Sequence, residues 1–140
     1  MRKILFRGKD IKTNLWFYGD LQQNIDAIRL REQEKNIKRI SKSFIVKPET
    51  VGQYIGLKDK NGKRIFEGDI LRNPRNDLFV VRYICGGFDC EPIKEFCKQP
   101  KISWNTLGEL QNASWVEDNN EVIGNIYDNP NLLPMETNNE

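Results

Sequence analysis

Residues Glu49 to Arg72 hold two turn signals and the strands around them, and this stretch constrains the fold more than any other part of the chain. The first signal, Asp59-Lys60-Asn61-Gly62, separates two runs that carry apolar residues, 51–57 and 64–66. Asp suits the first position of a type I turn, and Gly62 suits the positive φ of a G1 bulge; a two-residue type I′ turn at Asn61-Gly62 is the alternative. In both cases the sequence predicts that the chain reverses here.

The second signal is the tight polar turn Glu67-Gly68-Asp69, which leads into an apolar run beginning at Ile70. Between the two turns and before them, residues alternate between the two faces expected of a strand. Gly52 and Gly56 lie within this alternation, and glycine inside a strand pattern indicates a bulge, a bend or the close approach of another backbone. The stretch therefore predicts a strongly bent β meander.

Similar patterns recur along most of the chain. Strands are predicted at 3–7, 15–21, 27–31, 43–46, 78–84, 88–93 and 122–127, the first two forming an N-terminal hairpin. In the region 94–120, Trp104, Leu107, Leu110 and Trp115 fit either a short helix or a covering loop. The sequence predicts an all-β fold with little helix, built as a small β-sandwich or a partly open barrel.

The length of 140 residues is typical of one domain. We expect a single β-rich domain over residues 1–135, in which 1–47 could form an N-terminal β subdomain and 48–135 the main body. Residues 136–140 are polar and are predicted to be a disordered tail. No apolar run approaches the ~18 residues of a membrane span, and the N-terminus lacks the apolar region of a signal peptide. We expect no membrane association and a cytosolic location.

Two longer motifs carry a resemblance to a known family. TVGQYIGLKDKNGKRIFEGDI at 50–70 and EVIGNIYDNPNLL at 121–133 resemble the recurrent elements of the YopX family of phage and prophage proteins, and Arg7-Gly8 and 16–21 are similar to its N-terminal pattern. Residues 22–47 and 73–120 match weakly. The resemblance implies a mostly β, oligomer-forming phage protein in the bacterial host cytoplasm, with no established biochemical activity. The motif residues, to which we assign structural roles, are Gly52, Tyr54, Gly56, Leu57, Asp59, Asn61, Gly62, Glu67, Gly68, Asp69, Gly124, Asn125, Tyr127, Asn129 and Pro130.

The charge distribution is uneven although the net charge is only +2. All 22 Lys and Arg lie in residues 1–101 together with 13 acids, whereas residues 102–140 hold seven acids and no base. This asymmetry indicates either a basic surface for nucleic acid or a basic body matched to an acidic end in the same or a neighbouring subunit. The densest basic part is 29–47; its candidate nucleic-acid contacts are Arg29, Arg31, Lys38, Arg39 and Lys42, with an ordinary solvated face as the alternative.

No catalytic constellation is visible in the sequence. Histidine is absent, so a Ser or Cys nucleophile lacks its usual base. Cys85, Cys90 and Cys97 are not spaced as a zinc site, and we expect thiols that form neither a metal site nor a disulfide. Glu67 and Asp69, with Asp59, could hold a divalent metal as in a phage nuclease, but the same residues are ordinary turn formers. No nucleotide-binding glycine motif occurs. We expect a protein without enzymatic activity or cofactor.

Two binding hypotheses remain. In the first, the protein is a self-assembling β module that mediates macromolecular contacts, with subunits packed through edge strands and exposed parts of the aromatic residues Trp16, Phe17, Tyr18, Trp104 and Trp115. In the second, a small β-barrel binds nucleic acid through the basic segment 29–47. The sequence leaves both open, with a metal-dependent phage nuclease as a further alternative.

Overall fold

The computed structural model describes residues 2–33, 42–93 and 116–133, and these residues form two antiparallel sheets. The strands are β1 Phe6–Lys9, β2 Trp16–Gln23, β3 Ile28–Arg31, β4 Ser43–Ile45, β5 Gly52–Lys58, β6 Arg64–Phe66, β7 Asp69–Arg72, β8 Leu78–Ile84, β9 Gly87–Pro92 and β10 Glu121–Asn125. Their orders are β4-β3-β2-β1-β5-β6 and β10-β7-β8-β9. Short 3₁₀ turns span Pro48–Thr50 and Pro130–Leu132, and residues 116–119 are helical. The predicted all-β fold with little helix is confirmed.

The chain divides into two compact units, residues 1–56 and 57–140. Segment 48–56 belongs with the first unit because β5 pairs with β1, placing Gly52 opposite Arg7. The predicted tail at 136–140 lies outside the described residues, as does the region of Trp104 and Trp115 for which a helix or loop was predicted.

In the first unit, β1 and β2 form the predicted N-terminal hairpin, and β3 and β4 extend it. The fully buried Leu30 lies in the interior, and the half-buried rings of Phe17 and Phe44 stack with their centroids 4.0 Å apart. The sheet curls, because a β-bridge joins Asp10 to Val46 just beyond the ends of β1 and β4. The ends of two strands that are not neighbours in the sheet are thereby held together.

In the second unit, the four-stranded sheet is built around Ile70, Leu78, Val80 and Ile93. Arg82 in the β8 sequence would be expected to mark one face of the strand as partly wet, but all four residues from Leu78 to Val81 are buried. These residues are all buried because β8 is an interior strand between β7 and β9. The first half of the strand is covered on both faces of the sheet. Toward the β8–β9 turn the strand becomes exposed.

Candidate interaction surfaces

Asp59 is a buried structural residue at the first turn. One carboxylate oxygen accepts hydrogen bonds from the backbone N–H groups of Asn61 and Lys63, at 2.9 and 2.8 Å, and the other accepts one from the N–H of Val122 at 3.0 Å. Gly62 has φ +83° and its N–H donates to the Asp59 carbonyl, whereas Asn61 is not among the residues with positive φ. The turn is therefore the type I form followed by a left-handed glycine, and the type I′ alternative is wrong.

The second turn, Glu67-Gly68-Asp69, is tied to the sheet through its backbone. Asp69 is almost completely buried, and its carboxylate accepts a hydrogen bond from the Phe66 N–H at 2.8 Å. Gly68 has φ +91°, donates its N–H to the carbonyl of Val81 and accepts from the N–H of Ile126. A side chain at Gly68 would be strained, and the turn is fixed from two sides.

Asparagine side chains close the turn after β10. The side-chain oxygen of Asn125 accepts from the N–H groups of Tyr127 and Asp128 at 3.0 and 2.9 Å, and the side-chain oxygen of Asn129 accepts from the N–H of Asn125 at 3.2 Å. A Cβ at Gly124 would lie 2.2 Å from that Asn129 oxygen. Pro130 begins the 3₁₀ turn that follows.

The remaining motif residues are on β5. Gly52 is buried where β5 pairs with β1, the N–H of Tyr54 donates to the carbonyl of Leu5 at 2.7 Å, and Gly56 has φ +92°. Leu57 is half-buried near the end of β5. The β5 motif residues therefore take part in strand pairing and in the path of the backbone.

Among residues 2–33, 42–93 and 116–133, no three potential metal-binding side chains converge. Burial raises the pKa of the Cys90 thiol to about 12, with a smaller contribution from the nearby Asp89 carboxylate. Cys85 is exposed, and Cys97 lies outside the described residues. The carboxylates of Asp59 and Asp69, two members of the hypothetical metal site, instead accept hydrogen bonds from separate backbone groups.

Two of the described basic residues of segment 29–47, Arg29 and Arg31, lie beside carboxylates. Arg31 on β3 is directly opposite Asp20 on β2, and Arg29 forms an exposed ion pair with Asp26 at 3.6 Å. Lys42 is exposed just before β4. The other two candidate nucleic-acid contacts, Lys38 and Arg39, lie outside the described residues.

The register also brings aromatic residues to the face that carries Arg31. Tyr18 is two positions from Asp20 and shares its face of β2, and its side chain is 49% exposed. Trp16, two positions further, is half-buried, and the cationic group of the buried Arg7 lies 4.6 Å from the centre of its ring. Trp16 is thus held in the sheet by a cation–π contact, while Tyr18 remains accessible.

A hydrogen-bonded loop between β1 and β2 exposes aliphatic side chains. The Asp10 carboxylate accepts hydrogen bonds from the N–H groups of Lys12 and Thr13 and from the Thr13 hydroxyl, at 3.0, 2.8 and 3.0 Å. These bonds, the one from the Thr13 N–H above all, lower the pKa of Asp10. On the other side of the loop, the Lys47 ammonium donates to the Asn14 side chain at 2.8 Å. Side-chain hydrogen bonds therefore hold the loop at both of its ends.

We define the loop patch as Ile11, Leu15 and Ile45. The N–H of Ile11 donates to the carbonyl of Ile45 at 3.0 Å, and the N–H of Asp10 donates to the carbonyl of Leu15 at 2.8 Å. Ile11 is 54% exposed and Leu15 is 61% exposed. Leu15 and Ile45 fall in predicted strands and Ile11 between the first two of them; the signal available for the patch was an aliphatic residue inside a run of turn formers.

A second exposed apolar group lies at the end of the β8–β9 hairpin. Cys85 and Gly86 both have positive φ, as a two-residue type I′ turn requires. Next to them, Tyr83 is 58% exposed and its ring meets Phe88 edge-on at 5.3 Å, and Ile84 is also exposed. We call Tyr83, Ile84 and Phe88 the hairpin tip.

The fold defines a class: an all-β protein of two antiparallel sheets whose polar turns are fixed by buried Asp and Asn side chains. A family model described as YopX protein matches residues 5–134, and the chain belongs to the YopX family. The crystal structure of protein EF1440 from Enterococcus faecalis is similar, with 25% identity over 96% of this chain and 100% of that chain and a TM-score of 0.55. No curated protein matches. Within the described residues, no helix has the length and apolar character needed to cross a membrane.

Proposed function

We propose that this protein is a self-assembling, non-enzymatic β module that mediates macromolecular contacts, an accessory protein of a phage or prophage that acts in the cytoplasm of the bacterial host. The observation that carries the proposal is the loop patch, where exposed aliphatic residues are held on a hydrogen-bonded loop.

The free energy gained by burying aliphatic side chains favours the loop patch as a contact surface. Complete burial of an aliphatic side chain of this size is worth about 1.5–3 kcal/mol. Single exposed apolar residues are normal, but a backbone bond joins Ile11 to Ile45, and another joins Leu15 to Asp10, the neighbour of Ile11 in sequence. Because the loop is already ordered, a partner that covers it has little conformational entropy left to remove.

Light scattering over a concentration series tests self-assembly. We expect a discrete multimer for the unchanged chain and a smaller species for the double variant Ile11→Ser/Leu15→Ser. The matched control is Ile25→Ser, because Ile25 is a fully exposed aliphatic residue outside the loop patch, with a relative exposure of 108%. A monomer at all concentrations contradicts the proposal.

Binding of single-stranded nucleic acid is the second candidate function. It is favoured by one observation: the sheet places the accessible Tyr18 on the same face as Arg29 and Arg31. The adjacent carboxylates of Asp20 and Asp26 oppose it by offsetting the positive charge. Anisotropy titrations with single-stranded DNA and RNA should show salt-sensitive binding that weakens in Arg31→Gln and Lys42→Gln if this function is present. Absence of binding at low salt removes it.

A further inference from the structure

We propose that the hairpin tip of one copy docks on the loop patch of another copy. This inference rests on the proposed self-assembly and specifies its geometry: a head-to-tail contact between two different surfaces. The occupant of the loop patch is thus a second copy of this chain, and the part that occupies it is the exposed end of the β8–β9 hairpin.

The two surfaces are suited to each other in polarity. The hairpin tip ends in a two-residue turn and presents Tyr83 and Ile84 to solvent. Tyrosine is enriched among residues that dominate binding energy, and its ring is held by Phe88. The loop patch offers exposed aliphatic side chains on a fixed backbone, the kind of surface that an aromatic anchor covers.

Local charges distinguish the two surfaces. Lys12 and Lys47 flank the loop patch, and the one carboxylate of that loop, Asp10, is already bonded to backbone N–H groups. On β9, next to the hairpin tip, two acids face one base, since Asp89 lies opposite Arg82 and Glu91 forms an ion pair with the same arginine at 2.5 Å. The loop patch is therefore bordered by excess positive charge, and the tip by excess negative charge.

The same complementarity extends to the whole units. Residues 1–56 carry 12 Lys and Arg and six acids, whereas residues 57–140 carry 10 Lys and Arg and 14 acids. The basic unit of one copy is therefore attracted to the acidic unit of another, and this attraction accelerates their encounter.

Contacts between identical surfaces are disfavoured by the same charges. Two loop patches in contact would bring Lys12 and Lys47 of both copies together, and two hairpin tips would bring together Asp89 and Glu91 of both copies. A contact between unlike surfaces avoids both repulsions. It generates a closed ring when the rotation between copies closes, and a filament when it does not.

The decisive experiment mixes two variants, each with one damaged surface. In Ile11→Ser/Leu15→Ser the loop patch is lost and the tip is intact; in Tyr83→Ser/Ile84→Ser the tip is lost and the loop patch is intact. We expect each variant alone to be a monomer. A 1:1 mixture should form a complex of two chains, one of each variant, at twice the 16.4 kDa chain mass. Growth should stop there because no undamaged pair of surfaces remains.

The controls distinguish self-assembly in general from the proposed head-to-tail docking. Ile25→Ser should assemble like the unchanged chain, and circular dichroism verifies that each variant is folded. If the unchanged chain assembles but the mixture does not form the two-chain complex, head-to-tail docking is wrong and self-assembly stands. If the unchanged chain is monomeric, both are wrong.

A charge exchange provides an independent test that leaves the apolar residues in place. Lys12→Glu and Asp89→Lys should each weaken assembly about tenfold, as expected for one repulsive pair at a partly desolvated interface. Mixing them should restore affinity between the two variants. If the two variants and the unchanged chain all self-associate with equal affinity, the assignment of these surfaces is wrong.

Discussion

The carboxylate of Asp59 accepts a hydrogen bond at 3.0 Å from the backbone N–H of Val122, a residue 63 positions away in sequence. The other oxygen of the same carboxylate closes the turn between β5 and β6 through Asn61 and Lys63. One buried side chain thus shapes a local turn and attaches β10 to it, so the family motif DKNG has a structural explanation that requires no catalysis.

Replacing Asp59 should destabilise the second unit strongly. Asp59→Ala leaves three backbone N–H groups without their acceptor, and we expect a loss of about 3 kcal/mol in the free energy of unfolding. Urea denaturation followed by tryptophan fluorescence measures it. Asp26→Ala is the matched control, because its exposed pair with Arg29 is worth less than about 1 kcal/mol. Equal losses in the two variants contradict the structural role.

Two glycines should differ in their response to alanine. At Gly19, a Cβ would lie 2.1 Å from the backbone oxygen of Arg31, so β2 and β3 must move apart. At Gly62, nothing lies within 4 Å of the added Cβ, but φ is +83°. We expect Gly19→Ala to cost about 3 kcal/mol or more and Gly62→Ala about 1–2 kcal/mol. Thermal unfolding of both variants gives the comparison; a larger cost at Gly62 disagrees with the structure.

The thiol of Cys90 should be unreactive in the native protein. Its pKa is raised to about 12 by burial, so it stays protonated at pH 8. Maleimide labelling of a Cys85→Ser/Cys97→Ser variant should be slow until urea is added, whereas Cys85 in a Cys90→Ala/Cys97→Ser variant should react rapidly. Rapid labelling of Cys90 without urea contradicts its burial.

Burial of Cys90 also implies a pH dependence of stability. The unfolded thiol loses its proton near its ordinary pKa of 9.0, and the folded thiol only near 12. The contribution of Cys90 is thus complete below pH 9 and is lost as the pH rises from there toward 12. Between pH 9 and 11, the unchanged chain should lose more stability than Cys90→Ala, as measured by urea denaturation; parallel profiles would contradict this linkage.

The order of the β1–β2 loop should depend on ionised Asp10. Because its pKa is lowered from 3.8 by bonds to Thr13 and Lys12, the carboxylate supports the loop above pH 3.8 and loses this role as the pH falls through the lowered pKa. The amide NMR shifts of Lys12 and Thr13 should change in that range. In Asp10→Asn the shifts should lack this transition, and an identical transition in the variant would assign it to another group.

The sequence predicted the turns and most strands because their signals are local. Asp59-Lys60-Asn61-Gly62 and Glu67-Gly68-Asp69 require particular backbone angles that few residues adopt, and β8 begins with four consecutive apolar residues, Leu78 to Val81. Arrangements between distant strands were not predictable in the same way. The placement of Tyr18 on the same face as Arg31 depends on the register of β2 and β3, and the bridge from Asp10 to Val46 depends on how far the sheet curls.

The exposed surfaces were the least predictable part. Ile11 and Ile84 are ordinary aliphatic residues in sequence, and their exposure follows from the loop and the hairpin that carry them. The proposed contacts through Trp104 and Trp115 stay predictions, since both residues lie outside the described ranges.

Native mass spectrometry of the unchanged chain, at low-micromolar concentration in a volatile buffer of moderate ionic strength, tests self-assembly most directly. We expect a discrete species whose mass is an integer multiple, two or more, of the 16.4 kDa chain. A spectrum that contains only the single chain at every concentration contradicts it.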